Sequence, residues 1–118
     1  QLARAIGADG IHLPAQQLMR LNQRPPFPLV GASCHERREL EHAAQLGLDF
    51  AVLGPVKATA THPGSAGIGW ESFAQGVGGL PLPVYAIGGL TLVDLPDALA
   101  AGAQGIAAIR AAWAEFPA

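Results

Sequence analysis

The sequence contains few cysteines, few charged residues and no long apolar run, and each shortage excludes a class of protein. Its one cysteine, Cys34, cannot form an internal disulfide and fits a reducing compartment, so we expect a cytoplasmic protein. The net charge is −2 and no basic cluster is present, so nucleic acid is not an expected partner. No apolar run is long enough to cross a bilayer, so no membrane partner is expected. The four histidines lack zinc-finger spacing, and we assign no metal ligand.

Hydrophobic residues make up 50% of the 118 residues, which is typical of a globular protein with a sizeable core. One pattern occurs around Gly7, Gly47 and Gly102: an Ala- and Leu-rich stretch, the glycine, a small or polar residue, and an apolar run. Glycine in this place is typical of a helix C-cap before a strand. Repeated helix-to-strand junctions predict parallel strands joined by helical crossovers, in a single α/β domain over residues 1–118.

The apolar runs and caps predict the positions of the elements. We expect strands at residues 10–13, 29–33, 50–53, 84–87 and 105–109, buried on both faces. We expect helices at residues 15–22, 36–46, 70–77, 93–101 and 111–115. Ser33 and Glu36 have capping-box spacing at the start of the second helix. The chain begins with Gln1, and residues 1–10 read as the end of a helix entering a strand, as in a fragment of a longer protein.

Two consecutive glycines, Gly88 and Gly89, follow the fourth predicted strand. Paired glycines allow the backbone to approach a ligand and to turn its N–H groups toward an anion. In (β/α)₈ barrels the loops after the last two strands commonly form a phosphate site. Ile109 and Arg110 end the next predicted strand at the same edge, so these four residues predict a site for a phosphorylated small molecule. A polar loop at residues 57–69 follows the third strand and has the length of a functional lid.

Several other side chains have structural interpretations. We expect Cys34 to be a small buried hydrophobe rather than a nucleophile. Trp70 is expected to pack at the start of a helix, and His35 and His42 to lie on a solvated helix face. Asp9 and Asp49 occupy the same junction in two repeats, which favours a role in the turn over catalysis.

Six motifs in order along the chain resemble the family of thiamine-phosphate synthase and its relative TenI. They are Gly7-Ala-Asp-Gly-Ile-His-Leu13, Val30-Gly-Ala-Ser33, Leu53-Gly-Pro-Val56, Thr59-Ala-Thr-His-Pro-Gly64, Ala86-Ile-Gly-Gly-Leu-Thr91 and Gly102-Ala-Gln-Gly-Ile-Ala-Ala-Ile109. The resemblance implies an incomplete TIM (β/α)₈ barrel, with five parallel strands corresponding to strands four to eight and helices outside. The chain also resembles the rear half of proteins that fuse a Nudix (MutT-type) hydrolase to such a domain.

The resemblance implies a transferase of thiamine biosynthesis in the complete protein. The family condenses hydroxymethylpyrimidine diphosphate with thiazole phosphate, and Mg²⁺ helps the diphosphate to leave. Because that reaction is dissociative, the protein mainly positions the partners and stabilises negative charge. Mg²⁺ is therefore implied for the complete protein, although we expect no cofactor to be held by this chain.

The family's functional positions carry over unevenly. Gly88 and Gly89 match the thiazole-phosphate loop, Ile109 matches the backbone site that follows, and Arg110 stands where the family has serine. Other matches form a substrate and diphosphate loop and a further part of the pocket: Thr59, Thr61 and His62 in the loop, with His62 in place of a lysine, and His12 and Ser33 in the pocket.

The strongest departures fall after the first predicted strand. Ala15 replaces the family's pyrimidine-contacting glutamine, and Gln17 replaces its magnesium-binding aspartate, for which a neutral amide is a poor substitute. His12-Leu13-Pro14 instead resembles TenI, but Pro55 stands where those tautomerases have a catalytic histidine. We therefore assign no catalytic residue and expect the isolated chain to be inactive.

Three functions stay open at this point. The first is the thiamine-phosphate-synthase-like domain that binds a thiazole-phosphate-like ligand. The second is a non-catalytic or regulatory phosphate-binding domain fused to a Nudix hydrolase. The third is an unrelated phosphate-barrel enzyme of the tryptophan or histidine pathways, which the Thr59–Gly64 motif disfavours. Because a barrel segment leaves open edges, we expect either a missing N-terminal barrel half or a homo-oligomer that packs across Ile11, Val30 and Ile109.

Overall fold

The computed structural model describes residues 10–57 and 66–107, together with the backbone of residues 4–5. The described strands are β1 (Arg4–Ala5), β2 (Gly10–Leu13), β3 (Leu29–Cys34), β4 (Phe50–Leu53) and β5 (Val84–Ala86). The described helices are α1 (Ala15–Leu18), α2 (Arg37–Gln45), α3 (Gly69–Val77) and α4 (Leu95–Ala100), the last preceded by a 3₁₀ turn over Leu92–Asp94. Among these residues no helix combines the length and the apolar character that a membrane span needs.

Four of the strands form a parallel sheet in the order of the sequence, β2-β3-β4-β5. This order confirms the predicted α/β arrangement, since each parallel connection contains a helix. The glycines predicted to cap helices have positive φ at Gly47 (74°) and Gly102 (98°), as a left-handed C-cap requires. The third predicted cap, Gly7, lies outside the described residues.

The prediction for residues 1–10 is wrong where the backbone is described. Arg4–Ala5 is a short strand that pairs antiparallel with β2, opposite His12 and Ile11, rather than the end of a helix. The physical reason is that the free edge of β2 offers unpaired N–H and C=O groups, which an extended segment satisfies. The local Ala-rich composition does not predict this pairing, because the pairing depends on the edge of another strand.

The two faces of the sheet have different surroundings. In a parallel register paired residues point to the same face, so Ile11, Val30, Ala51 and Val84 share one face. Val30 is fully buried there and Ile11 packs against the same core. Val30 is therefore closed to a partner, because the protein's own helices cover this face, whereas Ile11 is half-buried and the expected partner contact stays a prediction there. Ile109, the third residue of that expectation, lies outside the described residues.

The opposite face is open in part. His12, Phe50 and Tyr85 lie on it, and Tyr85 keeps 36% of its surface exposed. The ring of Phe50 covers Gly31, where any Cβ would collide with it. The strands are thus buried by helices on one face and lined by aromatic side chains on the other. The expectation of burial on both faces is not met by Tyr85, nor by Leu29, which is 43% exposed.

The helices cover the first face with apolar side chains at helical spacing. Leu18, Leu40, Phe73 and Ala98 come from the four helices and are fully buried in one core with the sheet. Helix α1 ends at Leu18 rather than at the predicted Asn22, and the chain continues in turns.

The predicted capping box of helix α2 is wrong. Glu36 is the N-cap residue and its side chain makes no capping hydrogen bond. Glu39, one turn into the helix, accepts the backbone N–H of His35 at 2.6 Å instead. Ser33 belongs to β3 and its hydroxyl is bonded to another strand, so it is not free to cap the helix.

The fifth predicted parallel strand is described only at its start. Ile106 forms a parallel bridge with Ala86, and the N–H of Ala107 donates to the C=O of Ala86 at 2.8 Å. Residues 108–109, and the helix predicted at 111–115, lie outside the described residues.

Asp49 lies at the amino edge of the sheet and has a structural role, as its place in the repeat predicted. Its Oδ2 accepts the N–H of Val30 at 2.7 Å and a guanidinium N–H of Arg24 at 2.8 Å. The bond from Val30, followed by the bond from Arg24, holds the pKa of Asp49 below its ordinary value. Arg24 also donates to the C=O groups of Gly47 and Phe27, so one side chain joins the turns that lead into β3 and β4.

Candidate functional site

The carboxyl ends of β4 and β5 continue side by side beyond the sheet. The N–H of Val56 donates to the C=O of Ile87 at 2.9 Å, and the N–H of Lys57 donates to the C=O of Gly88 at 3.1 Å. Gly54 allows this approach, because a Cβ there would collide with the carbonyl oxygen of Ile87. The loop after β4 is therefore fixed to the predicted anion loop after β5 by backbone hydrogen bonds.

Gly88 and Gly89 both adopt conformations that favour glycine. Their φ angles are 102° and 64°. A Cβ on Gly88 would lie 2.5 Å from Cα and 2.6 Å from Cβ of Pro55. Gly88 thus has a packing role in addition to its predicted role in binding. Within residues 10–57 and 66–107, neither glycine uses its N–H in a backbone hydrogen bond.

An ion pair that the sequence did not predict lies at the same edge. The ammonium of Lys57 is 2.6 Å from Oδ1 of Asp94, whose side chain is 10% exposed. The other carboxylate oxygen of Asp94 accepts the N–H of Thr91 at 2.9 Å. The hydrogen bond from Lys57, followed by the one from Thr91, lowers the pKa of Asp94. The two charges are 37 residues apart, so no local pattern could have revealed the pair.

His12 and Ser33, predicted separately, are brought together by the register of β2 and β3. Their Nε2 and Oγ atoms share a hydrogen bond of 2.7 Å on the open face of the sheet. The imidazole also lies beside the ring of Phe50, with 5.9 Å between the ring centroids. Burial lowers the pKa of His12, which favours the uncharged imidazole. The pair therefore offers hydrogen bonds without a fixed charge.

Five of the predicted site residues lie outside the described residues. They are Thr59, Thr61 and His62 of the diphosphate loop, and Ile109 and Arg110 after the last predicted strand. Their assignments stay predictions.

The described residues at this edge do not fit a Mg²⁺ site. Within residues 10–57 and 66–107 no three His, Cys, Asp or Glu side chains come together. Gln17 supplies an amide, and its buried Oε1 accepts no hydrogen bond from the part of the chain that the structure describes. The carboxylate of Asp94 is bonded to Lys57 and Thr91. Mg²⁺ prefers anionic oxygen ligands, so the Mg²⁺ implied for the complete protein would need ligands other than these.

The structural interpretations of the remaining side chains are largely confirmed. Cys34 is 2% exposed, and burial, followed by the charge of Glu39, raises the pKa of its thiol to about 12. Trp70 packs edge to face on Phe73 at the start of α3. His42 differs from the prediction, because it is half-buried and its Nε2 is bonded to the C=O of Leu21 at 2.8 Å.

Comparison with known proteins gives one family and several relatives. The family described as thiamine monophosphate synthase matches residues 1–112. A thiamine-phosphate synthase of Thermosynechococcus vestitus is 35% identical over 118 residues, which cover 96% of this chain and 33% of that protein. A thiamine-phosphate synthase of Thermus thermophilus is 39% identical over 114 residues, which cover 93% of this chain and 54% of that protein.

One solved structure is similar along most of the chain. The thiamine phosphate pyrophosphorylase from Pyrococcus furiosus superimposes with a TM-score of 0.64 at 28% identity, over 86% of this chain and 49% of that chain. This chain therefore spans between a third and about half of the length of the relatives described here.

Proposed function

Because the chain belongs to the thiamine monophosphate synthase family, we propose that the complete protein is a synthase of thiamine biosynthesis. It would condense hydroxymethylpyrimidine diphosphate with thiazole phosphate. The contribution of this chain is to bind thiazole phosphate at the carboxyl edge of the sheet. The names of the relatives support this class of reaction. The positive φ angles in the loop after β5 support a phosphorylated ligand.

The observation that carries this proposal is the backbone of Gly88 and Gly89. Both have positive φ, and in the described part of the chain their N–H groups make no backbone hydrogen bond. Consecutive N–H groups in such a turn form a concave donor set that suits an anion. The loop cannot easily move away, because the carbonyl of Gly88 is held by Lys57. Arg110 and the backbone of Ile109 would complete the phosphate contacts in this proposal.

His12 and Ser33 would line the pocket beside the phosphate. A neutral imidazole and a hydroxyl can hydrogen-bond a heterocycle and add no charge that competes for the phosphate. Thr59, Thr61 and His62 would contact the diphosphate of the second substrate. At neutral pH an unperturbed histidine is mostly uncharged, so His62 would supply a cation only as the pH falls.

The open face of the sheet supports a second element of the proposal. We infer that the parallel sheet is the later part of a (β/α)₈ barrel whose earlier strands cover the face of Phe50 and Tyr85. The sequential strand order, the helices on one face and the greater length of the similar solved chain all favour this arrangement. The alternative is that a second copy of the chain covers this face of the sheet.

A phosphate-binding domain without turnover, fused to a Nudix hydrolase, is the second candidate. The specific observation in its favour is the poor fit of the described carboxyl edge to Mg²⁺, with Gln17 and the engaged carboxylate of Asp94. Binding of thiazole phosphate without release of pyrophosphate by the complete protein would favour this candidate.

Calorimetry with thiazole phosphate tests the phosphate site through Gly89→Val in the complete protein. The valine should abolish binding, because its side chain would occupy the place of the anion and φ is 64°. Gly79→Val is the matched control. Its φ is 75°, a Cβ there meets nothing within 4 Å, and it follows α3 at the amino side of the sheet. Unchanged affinity in Gly89→Val, or an equal loss in Gly79→Val, would remove the phosphate-site claim.

A further inference from the structure

The ion pair between Lys57 and Asp94 has no role in the function proposed so far. It joins Lys57, an exposed residue four positions after the end of β4, to the nearly buried carboxylate of Asp94 after β5. Lys57 is bound twice, since its backbone N–H holds the carbonyl of Gly88 while its ammonium holds Asp94. Both contacts lie at the loop that carries the proposed phosphate site.

The carboxylate of Asp94 is present for a local reason. Thr91 and Asp94 form a reciprocal capping box, in which Oγ1 of Thr91 accepts the N–H of Val93 and Oδ2 of Asp94 accepts the N–H of Thr91. This box shapes the turn two residues after Gly89. The capping box thus places a negative charge next to a loop proposed to bind an anion.

An unneutralised carboxylate at this place would repel a phosphate. The repulsion would act at short range, because Asp94 accepts the N–H of Thr91, only two residues after Gly89. Lys57 removes the conflict with a contact of 2.6 Å. Asparagine could form the same capping bond without charge, since its amide oxygen also accepts an N–H.

We propose that Lys57 is a positioning residue that neutralises Asp94 and fixes the carbonyl of Gly88, so that the phosphate of the ligand can approach the loop. This inference rests on the proposed function of Gly88 and Gly89. It assigns to Lys57 an electrostatic role exerted through Asp94, not a direct bond to the ligand. A second substitution at Asp94 distinguishes the two roles. It restores the affinity lost on substitution of Lys57 if Lys57 acts by neutralising Asp94, and it does not if Lys57 contacts the ligand directly.

The test is a double-mutant cycle in the complete protein, with thiazole phosphate as the probe in calorimetry. Lys57→Met should weaken binding about tenfold through the unpaired carboxylate. Asp94→Asn alone should not weaken binding, since the capping bond is kept and the charge left unpaired is the positive charge of Lys57. The double variant should return to within about threefold of the unsubstituted protein, and Lys57→Arg should bind as the unsubstituted protein does.

Two controls separate charge from structure. The unphosphorylated thiazole alcohol should bind all variants equally, because it carries no charge to repel. The loss in Lys57→Met should shrink as salt is raised, as expected of an electrostatic effect. Should Lys57→Met fold poorly in a thermal melt, Lys57→Gln replaces it in the same cycle.

A double variant as weak as Lys57→Met would overturn the inference, and would indicate that Lys57 contacts the ligand directly. Unchanged affinity in Lys57→Met would overturn it as well. Gly89→Val distinguishes this failure from failure of the proposed function. If Gly89→Val abolishes binding while Lys57→Met does not affect it, only the inference fails. If Gly89→Val binds normally, the phosphate site itself is wrong.

Discussion

Substitution of Gly88 by alanine measures how far this glycine is required by packing rather than by a ligand. Two structural effects should lower the free energy of unfolding of this variant. The φ angle of 102° is unfavourable for a residue with a Cβ, which costs about 1–2 kcal/mol. The new methyl carbon would also lie 2.5 Å from Cα of Pro55 and 3.0 Å from the N of Val56, both backbone atoms that cannot rotate away.

The second term is the larger source of damage to the loop. Forcing one extra carbon into a closely packed place costs about 1–3 kcal/mol. The sum predicts that the free energy of unfolding falls by about 2–5 kcal/mol, less about 0.4–1 kcal/mol for the reduced entropy of the unfolded chain. That loss is a large fraction of the stability of an ordinary domain.

Gly79→Ala isolates the packing term. Its φ is also positive, at 75°, but a Cβ at Gly79 would have no heavy atom of the described residues within 4 Å. Urea unfolding followed by circular dichroism, without ligand, should therefore show a loss for Gly88→Ala that exceeds the loss for Gly79→Ala by about 1–3 kcal/mol. Equal losses in the two variants would show that the contact with Pro55 is not a real constraint.

Three further predictions concern single side chains. Cys34 should react with a thiol reagent at pH 8 only after urea unfolding, because burial and Glu39 raise its pKa to about 12; fast labelling of the folded protein would contradict the buried position. Since burial lowers the pKa of His12, the unfolded chain binds its proton more readily. The free energy of unfolding should therefore fall as the pH drops below about 6.5, and His12→Gln should flatten this pH dependence between pH 8 and 5; an unaltered slope would exclude His12 as its source. The isolated chain should release no pyrophosphate from the two family substrates with Mg²⁺, and any residual release should rise as the pH falls from 8.5 to 5.5 through about 6.5, provided that His62 acts as the cation. Robust release of pyrophosphate that is insensitive to His62→Ala would show that activity does not need the pyrimidine and magnesium contacts that Ala15 and Gln17 lack.

The prediction of a phosphate loop from Gly88 and Gly89 illustrates both the use and the limit of sequence reasoning. The two glycines after the apolar strand do adopt positive φ angles at the carboxyl edge, while their contact with a phosphate stays a prediction. The sequence did not distinguish the two glycines. The contact of Gly88 with Pro55 arises between residues 33 positions apart in the chain, and it depends on how β4 and β5 are aligned.

Much of the element order was predictable because it depends on local chemistry. Apolar runs of four to six residues predicted β2, β3 and β4 to within one residue. The positive-φ glycines Gly47 and Gly102 follow the ends of α2 and α4, where helix caps were predicted. Ser33 shows where local chemistry fails. Its spacing from Glu36 suits a capping box, yet its hydroxyl is bonded to His12 of the neighbouring strand.

The sequence alone determined the period of the apolar residues, the caps and the family motifs, because each of these depends on neighbours within a few positions. It determined neither which face of the sheet the helices cover nor which distant charges meet. Ile11 and Val30 proved to lie under the helices, while Phe50 and Tyr85 line the open face. The pair of Lys57 and Asp94 exists only because β4 and β5 are adjacent and parallel. Strand register brings such residues together, and register is set by packing of the whole sheet rather than by any local stretch of the chain.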